Sequence, residues 1–162
     1  MSLRTVAIIG RPNVGKSSLF NRLVGRPVAI VDPTAGVTRD RVLHEVQRDD
    51  VRFDLVDTGG IGIVDAAKLE ADVEQQIDRA IATADRIVVV VDGRCDITDL
   101  DQRIAERLRS AGDRIILAVN KLDDVKLDPE MHRFERLGLG SPIAVSAEQR
   151  RGLDELVEAI GD

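Results

Sequence analysis

Short runs of apolar residues alternate along the chain with longer segments in which apolar residues recur every three or four positions. The short runs are rich in β-branched residues and predict buried strands: Val6–Ile9, Ile87–Val91, Ile115–Val119 and Ile143–Val145. The longer segments have helical spacing and predict helices: Ser18–Val24, Ala67–Ala84, Leu100–Leu108 and Leu153–Ile160. This alternation is typical of a parallel sheet with helices on both faces.

Two further strand-like segments complete the predicted sheet. Val42–Val46 and Val51–Val56 flank four polar residues, which predicts a β-hairpin and therefore one antiparallel strand. Between the first helix and this hairpin, Arg26–Asp40 lacks periodicity and contains two prolines, so we expect a loop there. The prediction is an α/β fold with six strands, mostly parallel, and about five helices. Because no linker, repeat or low-complexity segment occurs, residues 1–162 are expected to form a single domain.

The composition of the chain disfavours some classes of binding partner and of cellular location. A formal net charge of −6, no Trp or Tyr and three Phe disfavour direct nucleic-acid binding by this domain alone. The single cysteine, Cys95, has no histidine near it in the sequence, which favours a structural thiol in a reducing compartment over a nucleophile. No apolar run approaches the roughly 18 residues of a membrane span, and a strand is predicted near Met1 where a signal sequence would lie. We therefore expect a cytoplasmic protein with no membrane partner.

The first predicted strand leads directly into a sequence that fills every fixed position of a P-loop: Gly10-Arg11-Pro12-Asn13-Val14-Gly15-Lys16-Ser17. An ordinary glycine turn before a helix is the alternative, but the strand–loop–helix context favours a phosphate cradle. Backbone N–H groups and the helix N-terminus would face the phosphate oxygens. Lys16 would reach the β- and γ-phosphates, and the Ser17 hydroxyl would bind Mg²⁺.

Two other segments carry candidate magnesium and γ-phosphate contacts. The second hairpin strand runs into Asp57-Thr58-Gly59-Gly60, where Asp57 can hold a water of the Mg²⁺ shell and Gly60 can bring its N–H to the γ-phosphate. Asp-x-x-Gly is also a common turn, and its position after a strand beside a P-loop favours the phosphate interpretation. Thr38, in the predicted loop, could complete the Mg²⁺ shell, although the residues alone favour an ordinary loop threonine.

The strand Ile115–Val119 ends in Asn120-Lys121-Leu122-Asp123, a pattern that predicts guanine recognition. Asp123 can accept hydrogen bonds from guanine N1–H and the exocyclic amine, whereas adenine would leave the carboxylate unpaired, and such sites discriminate by about 10⁴-fold. Asn120 would connect this loop to the P-loop and the base, and Lys121 would cover the face of the base. After the last strand comes Ser146-Ala147-Glu148, where the Ala147 N–H could meet guanine O6. A solvated Asn-Lys loop stays open as an alternative.

Together these motifs resemble those of translation-factor-class GTPases with the Ras-like P-loop fold. More specifically, the chain resembles the first G domain of the Der (EngA) family of bacterial ribosome-assembly GTPases, in the TrmE/Era-like group. The matching segments extend over nearly the whole chain: Gly10–Ser17, Gly36–Arg41, Asp57–Ile61, Asn120–Asp123 and Leu137–Gly140. The chain has Ala35 where the family usually has proline and Ser18 where it often has threonine, and neither touches the predicted chemistry.

The resemblance implies a GTP or GDP ligand with Mg²⁺, and Thr38 as the switch threonine. Ile61 occupies the position where Ras-type enzymes have a water-orienting glutamine, so slow intrinsic hydrolysis is expected. Related GTPases are stimulated by K⁺, which implies Asn13 as a ligand of that ion. Arg39 and Arg41 are rival cations, although exposed pairing with Asp40 is favoured for them. Family members also carry a second G domain and a C-terminal RNA-binding-like domain, which implies one G domain of a longer protein that acts on ribosomal particles.

The expected site therefore combines four motifs. Catalytic roles are expected for Lys16, Asn13, Thr38 and Gly60, and the Mg²⁺ ligands are expected to be Ser17, Thr38 and Asp57. Nucleotide contacts are expected from the P-loop with Ser18, and from three further segments: Asp57–Ile61, Asn120–Asp123 and Ser146–Glu148.

A GTP-hydrolysing switch in assembly of the large ribosomal subunit is the favoured function. One alternative is a guanine-nucleotide-responsive binding module with negligible chemistry of its own, which Ile61 favours. The other is an ATP-dependent kinase or ATPase, and the sequence Asn120–Asp123 speaks against it.

Overall fold

The computed structural model describes residues 3–25, 42–57 and 66–162. Six strands occur in these ranges: β1 (Arg4–Ile9), β2 (Val42–Arg48), β3 (Val51–Asp57), β4 (Arg86–Asp92), β5 (Ile115–Asn120) and β6 (Ile143–Ala144). The same ranges contain four α-helices: α1 (Lys16–Val24), α2 (Ala66–Thr83), α3 (Asp99–Leu108) and α4 (Leu153–Gly161). Two segments of 3₁₀ helix, Arg109–Arg114 and Val125–Leu137, follow α3 and β5.

The strands form one sheet in the order β2-β3-β1-β4-β5-β6. The hairpin pair β2–β3 is antiparallel, and every other neighbouring pair is parallel. The predicted fold class, a mostly parallel six-stranded sheet with one antiparallel strand, is therefore confirmed. A parallel neighbour needs a crossover connection, and the helices between the strands supply it.

Two apolar clusters cover the two faces of the sheet. Val6 and Ile8 of β1 belong to one cluster, and Ala7 and Ile9 belong to the other, because successive side chains of a strand point to opposite faces. The first cluster contains the buried side chains of α1 and α4. The second contains those of α2, α3 and the segment Val125–Leu137. Helices therefore lie on both faces, as the alternation of strand and helix patterns predicts.

The sequence analysis, which counts about five helices, locates neither 3₁₀ segment, and Val125–Leu137 is the longer of the two. Only Phe134 and Leu137 are buried among its thirteen residues, and Pro129 lies inside it, so no amphipathic period marks it. The Asp124 carboxylate accepts the Lys126 N–H at 3.0 Å where the segment begins. Capping, the two buried side chains and side-chain hydrogen bonds to distant segments hold this element, and none of these leaves a periodic pattern in the sequence.

All parallel strands present their carboxyl ends at one edge of the sheet, and this edge positions the site. Residues at or just after those ends are Gly10 after β1, Asp57 in β3, Asp92 in β4, Asn120 in β5 and Val145 after β6. The predicted loop Arg26–Asp40 lies outside the described residues. No helix in the described ranges is both long enough and apolar enough to cross a bilayer.

Candidate nucleotide-binding site

The P-loop turns directly from β1 into α1. Gly15 stands at the N-cap of α1 in the left-handed conformation, with φ of 93°, and no side chain caps this helix end. The free N–H groups of the first turn and the positive end of the helix dipole form a site that suits an anion. The predicted phosphate cradle therefore has the local backbone that it requires.

Two glycines of the P-loop allow close packing against neighbouring strands. A Cβ atom on Gly10 would lie 2.7 Å from the carbonyl oxygen of Val90 in β4. A Cβ atom on Gly15 would overlap the side-chain nitrogen of Asn120, besides being strained at its positive φ. The glycines therefore serve the approach of β4 and β5 as well as the turn itself.

Asn120 joins the P-loop to the turn after β6. Its side-chain nitrogen donates to the Val14 carbonyl at 2.9 Å, and its side-chain oxygen accepts the Ala147 N–H at 3.0 Å. The Asn120 residue is 2% exposed, so both hydrogen bonds are shielded from water. The Ala147 N–H, which the sequence analysis assigns to guanine O6, already has Asn120 as its acceptor, so a ligand oxygen would share or replace that bond.

Lys121 makes a second connection to the P-loop. Its ammonium nitrogen donates to the Asn13 carbonyl at 2.6 Å and lies 3.3 Å from the Asp92 carboxylate. Lys121 and Asn13 both have positive φ, 69° and 71°, which the surrounding hydrogen bonds must hold. The lysine stem is thus held along the side of the P-loop, between the two segments that would contact the phosphates and the base.

Asp123 is exposed and directed to the same loop. One of its carboxylate oxygens accepts a hydrogen bond from the Ser146 hydroxyl at 2.6 Å, and that hydroxyl accepts the Gln149 N–H at 3.1 Å. The other carboxylate oxygen has no hydrogen-bond partner in the part of the chain that the structure describes. Leu122 is buried, and its N–H donates to the Val145 carbonyl at 3.2 Å, which fastens the Asp123 loop to the end of β6.

Lys16 lies at the start of α1 inside the cradle. Burial lowers the pKa of its ammonium group from the ordinary value of 10.5, because desolvation disfavours the charged form. Ser17 is half-buried beside it, and Ser18 is exposed. A partly desolvated cation at a helix N-terminus attracts a polyanion strongly, since bound phosphates restore the interactions that burial removed.

Arg11 joins the P-loop to α3. Its guanidinium lies 3.4 Å from the carboxylate of Asp101 in α3. Asp101 is 3% exposed and also accepts the Thr98 N–H at 3.0 Å within the capping box of α3. The P-loop is therefore packed against α3 as well as against β4 and β5.

Part of the predicted site lies outside the described residues: Thr38, Thr58, Gly59, Gly60 and Ile61. Asp57 is the last residue of β3, whose neighbour in the sheet is β1. Of the predicted Mg²⁺ ligands, Ser17 is in the P-loop and Asp57 ends the adjacent strand. Among the residues that are described, no group of three or more His, Cys, Asp or Glu side chains could hold a metal ion.

Two residues of the site are missed by the sequence analysis. Asp92 ends β4 at the same sheet edge as Asn120, and the rule applied to polar residues that follow buried strands would have found it. Arg22, in α1, donates from Nε to the Ala147 carbonyl at 2.9 Å, and so braces the turn after β6. No local pattern distinguishes Arg22 from other half-exposed helix residues, because its partner lies 125 residues away.

The carboxylate of Asp92 is buried but strongly stabilised. Burial by itself would raise its pKa, but hydrogen bonds from the backbone and guanidinium of Arg94, and from Lys121, outweigh this effect. The pKa of Asp92 therefore lies below its ordinary value, and the group is ionised at neutral pH.

The fold and the site define a P-loop nucleotide-binding protein in which a second loop, ending in Asp123, is hydrogen-bonded to the phosphate cradle. Comparison with known proteins gives the family. The model of the 50S ribosome-binding GTPase family matches residues 5–121, and the chain belongs to this family. It is a GTPase domain.

The relatives agree with this assignment. The chain is 49% identical over its whole length to GTPase Der of Rhodopirellula baltica, and spans 36% of that protein. Its fold resembles that of Aquifex aeolicus Era bound to GDP and AlF₄⁻, with a TM-score of 0.73 and 31% identity over 99% of this chain and 56% of that one. A structure of Era with MgGDPNP and a fragment of 16S ribosomal RNA has the same TM-score, 30% identity and the same coverage. The resemblance to the Der family is confirmed, and the chain spans about a third of the length of the curated relatives that it matches.

Proposed function

We propose that this chain is the GTP-binding and GTP-hydrolysing switch domain of a longer protein that acts in assembly of the large ribosomal subunit. The observation that carries the proposal is the buried amide of Asn120, which bonds the Val14 carbonyl and the Ala147 N–H at once. These two hydrogen bonds support the proposal that one nucleotide contacts both the P-loop and the loops after β5 and β6.

The phosphates are bound by the P-loop. Its uncapped N–H groups, together with Lys16, neutralise the β- and γ-phosphates, and the low polarity around Lys16 strengthens this interaction. Residues Gly10 to Ser18 contribute backbone and side-chain contacts to this half of the nucleotide. The segment Asp57–Ile61 contributes the γ-phosphate contact through the Gly60 N–H.

Mg²⁺ fits the donor set, since Ser17, Thr38 and Asp57 offer hydroxyl and carboxylate oxygens, the hard ligands that this ion prefers. When bound, the ion supplies charge neutralisation at the β- and γ-phosphates during phosphoryl transfer. Ser17 lies in the first turn of α1, and Asp57 ends β3, which pairs with β1.

The base is read by the loops after β5 and β6. Asp123 accepts from guanine N1–H and the exocyclic amine, and its bond from the Ser146 hydroxyl orients the carboxylate for this role. The Lys121 stem covers one face of the ring, and guanine O6 is read by the backbone at Ala147 and Glu148, where it shares or replaces the Asn120 acceptor of the Ala147 N–H. The same pattern disfavours adenine nucleotides and therefore an ATP-dependent kinase or ATPase.

Hydrolysis is expected to be slow in the isolated domain. Ile61 cannot polarise the attacking water, so transition-state stabilisation depends on Lys16, the P-loop amides and added cations. Asn13 is an exposed residue of the P-loop, and its side-chain amide oxygen suits a K⁺ ion. We assign Asn13, Lys16, Thr38 and Gly60 to this step.

The biological role belongs to the full-length protein. Residues 1–162 make up one G domain, and the relatives' greater length leaves room for a second G domain and an RNA-binding-like domain. Era, a structural relative, is described in complex with 16S ribosomal RNA, which makes a ribosomal particle the natural partner class to test. A cytoplasmic location follows from that partner.

Single-turnover hydrolysis tests the enzymatic part of this proposal. The domain is loaded with GTP, and the bound nucleotide is analysed over time with Mg²⁺ present. Conversion to GDP is expected, and GTP that stays uncleaved would favour a pure binding module. Competition of GTP against ATP for a fluorescent GDP analogue tests the base: an equal effect of ATP would contradict guanine recognition.

Co-sedimentation tests the partner. The full-length protein, with GDP or a non-hydrolysable GTP analogue, is expected to sediment with large ribosomal subunits in one nucleotide state and not in the other. Equal association in both states, or association with small subunits only, would contradict the proposed role.

A further inference from the structure

Asp92 has a buried carboxylate at the carboxyl edge of the sheet, and the proposed function assigns no role to it. Asp92 ends β4, lies opposite Asn120 in the parallel ladder with β5, and is 5% exposed. Burial of a charged carboxylate is costly unless partners compensate for the lost hydration. The identity of these partners indicates what the residue does.

The two oxygens of Asp92 have separate partners. One accepts the Arg94 N–H at 2.9 Å, with the Arg94 guanidinium at 3.5 Å, and this turn fixes the carboxylate. The other lies 3.3 Å from the Lys121 ammonium. The Arg94 side chain is largely exposed, whereas the Lys121 side chain is 25% exposed, so the contact with Lys121 is the more shielded of the two ion pairs.

Lys121 therefore has two anchors, the Asn13 carbonyl in the P-loop and the Asp92 carboxylate in β4. A free lysine side chain samples many rotamers, and holding it in one of them costs conformational entropy. With its ammonium held at both anchors, the stem is already ordered along the P-loop before a ligand arrives. Preorganisation of this kind raises affinity, because the side chain loses little conformational entropy when the ligand binds.

We propose that Asp92 is a positioning residue for nucleotide recognition, which holds the Lys121 ammonium against the Asn13 carbonyl and so fixes the base-reading loop relative to the P-loop. The inference rests on the proposed function and deepens it. It makes guanine affinity depend on Asp92, a residue outside the four motifs. The end of β4 then acts as the support for both halves of the site.

The test is the affinity for GDP of Asp92→Asn, which preserves the shape of the side chain and the acceptor for the Arg94 N–H but removes the charge. Asp85→Asn is the matched control, because Asp85 lies just before the other end of β4 and its carboxylate accepts the Thr5 N–H at 2.8 Å. The dissociation constant is measured well below the melting temperature of each variant. We expect it to rise about tenfold in Asp92→Asn and to stay within about twofold of wild type in Asp85→Asn.

A double-mutant cycle with Lys121→Met separates positioning from a general effect on the fold. If Asp92 acts through Lys121, adding Asp92→Asn to Lys121→Met changes the dissociation constant by less than about twofold. Asp92→Glu, which keeps the charge, is expected to recover part of the affinity lost in Asp92→Asn, and it carries the test if the asparagine variant does not fold.

The outcomes separate the inference from the proposed function. GDP binding by Asp92→Asn as tight as wild type, or an equal loss in the presence and absence of Lys121, would overturn the role of Asp92 while guanine recognition stands. A wild-type domain that binds no GDP in the same titration would contradict the proposed function itself.

Discussion

The side-chain nitrogen of Asn120 lies 2.9 Å from the carbonyl oxygen of Val14, and both residues are buried. This hydrogen bond joins the end of β5 to the P-loop across 106 residues of sequence. Because the other end of the same amide accepts the Ala147 N–H, one side chain sets the relative position of three loops.

Replacing Asn120 with alanine should weaken both folding and binding. The substitution leaves the Val14 carbonyl and the Ala147 N–H buried without their partner, which costs about 1–3 kcal/mol for each group. We expect a lower free energy of unfolding in urea and a GDP dissociation constant raised by at least about tenfold. Gln102→Ala, at an exposed position of α3, is the control and should change neither quantity. Wild-type stability in the Asn120 variant would contradict the bridging role.

Nucleotide affinity should begin to fall at a lower pH than it would if Lys16 had the ordinary lysine pKa of 10.5. The pKa of Lys16 is lowered in the folded domain, so its charged form costs stability at neutral pH, and this cost is relieved as the pH rises through the lowered pKa towards 10.5. Bound phosphates favour the charged form, so binding takes up a proton in alkaline solution. Titrations with GDP between about pH 7 and pH 10 should show this loss.

The control for the pH experiment is Lys16→Met. This variant should bind GDP weakly and should lack the additional loss of affinity at alkaline pH. Lys126→Met, at an exposed position, should retain the wild-type profile. The assignment to Lys16 is wrong if the methionine variant shows the wild-type pH dependence.

Asp123→Asn should change the preferred base from guanine to xanthine. An asparagine can accept from the N1–H and donate to the xanthine carbonyl that replaces the guanine amine, while the guanine amine loses its acceptor. The guanine preference, on the order of 10⁴-fold in sites of this kind, should be reversed in competition titrations of GDP against XDP. Asp124→Asn, at the adjacent exposed position, is the matched control. Retained guanine selectivity in Asp123→Asn would refute the role of this carboxylate.

Hydrolysis should be faster in KCl than in NaCl at equal ionic strength, and the difference should depend on Asn13. A K⁺ ion beside the phosphates adds positive charge where the transition state needs it, and we expect a ratio on the order of tenfold or more. In Asn13→Ala the rates in the two salts should become equal, while Gln149→Ala, at an exposed position, should keep the wild-type ratio. Equal rates in the wild-type domain would remove this assignment.

Much of the fold could be predicted from local patterns. The run Ile87–Val91 predicts a buried strand because consecutive β-branched residues suit a sheet covered on both faces, and β4 is such a strand. The hairpin pattern identifies β2 and β3, the antiparallel strand pair of the described sheet. The sequence does not predict the segment Val125–Leu137, since two buried side chains among thirteen residues leave no helical period of apolar positions.

The residues of the site also fall into those that the sequence predicts and those that it does not. Asn120 and Lys16 belong to motifs that the sequence shows. Asn120 bonds the Val14 carbonyl of the P-loop, and Lys16 begins α1 directly after the P-loop turn. Asp92 and Arg22 carry no motif, and their parts in the site depend on partners that the chain brings near only when the sheet is complete.

The sequence by itself determined which segments become strands and helices and which residue types stand at the strand ends, because these properties depend on spacing over a few neighbouring residues. The tertiary structure decided which of those strand ends meet, and so which buried groups pair. Hydrogen bonds and ion pairs reach only a few ångströms, so the partners of Asn120 and the pairing of Asp92 with Lys121 could be known only from the order and register of the strands that carry them.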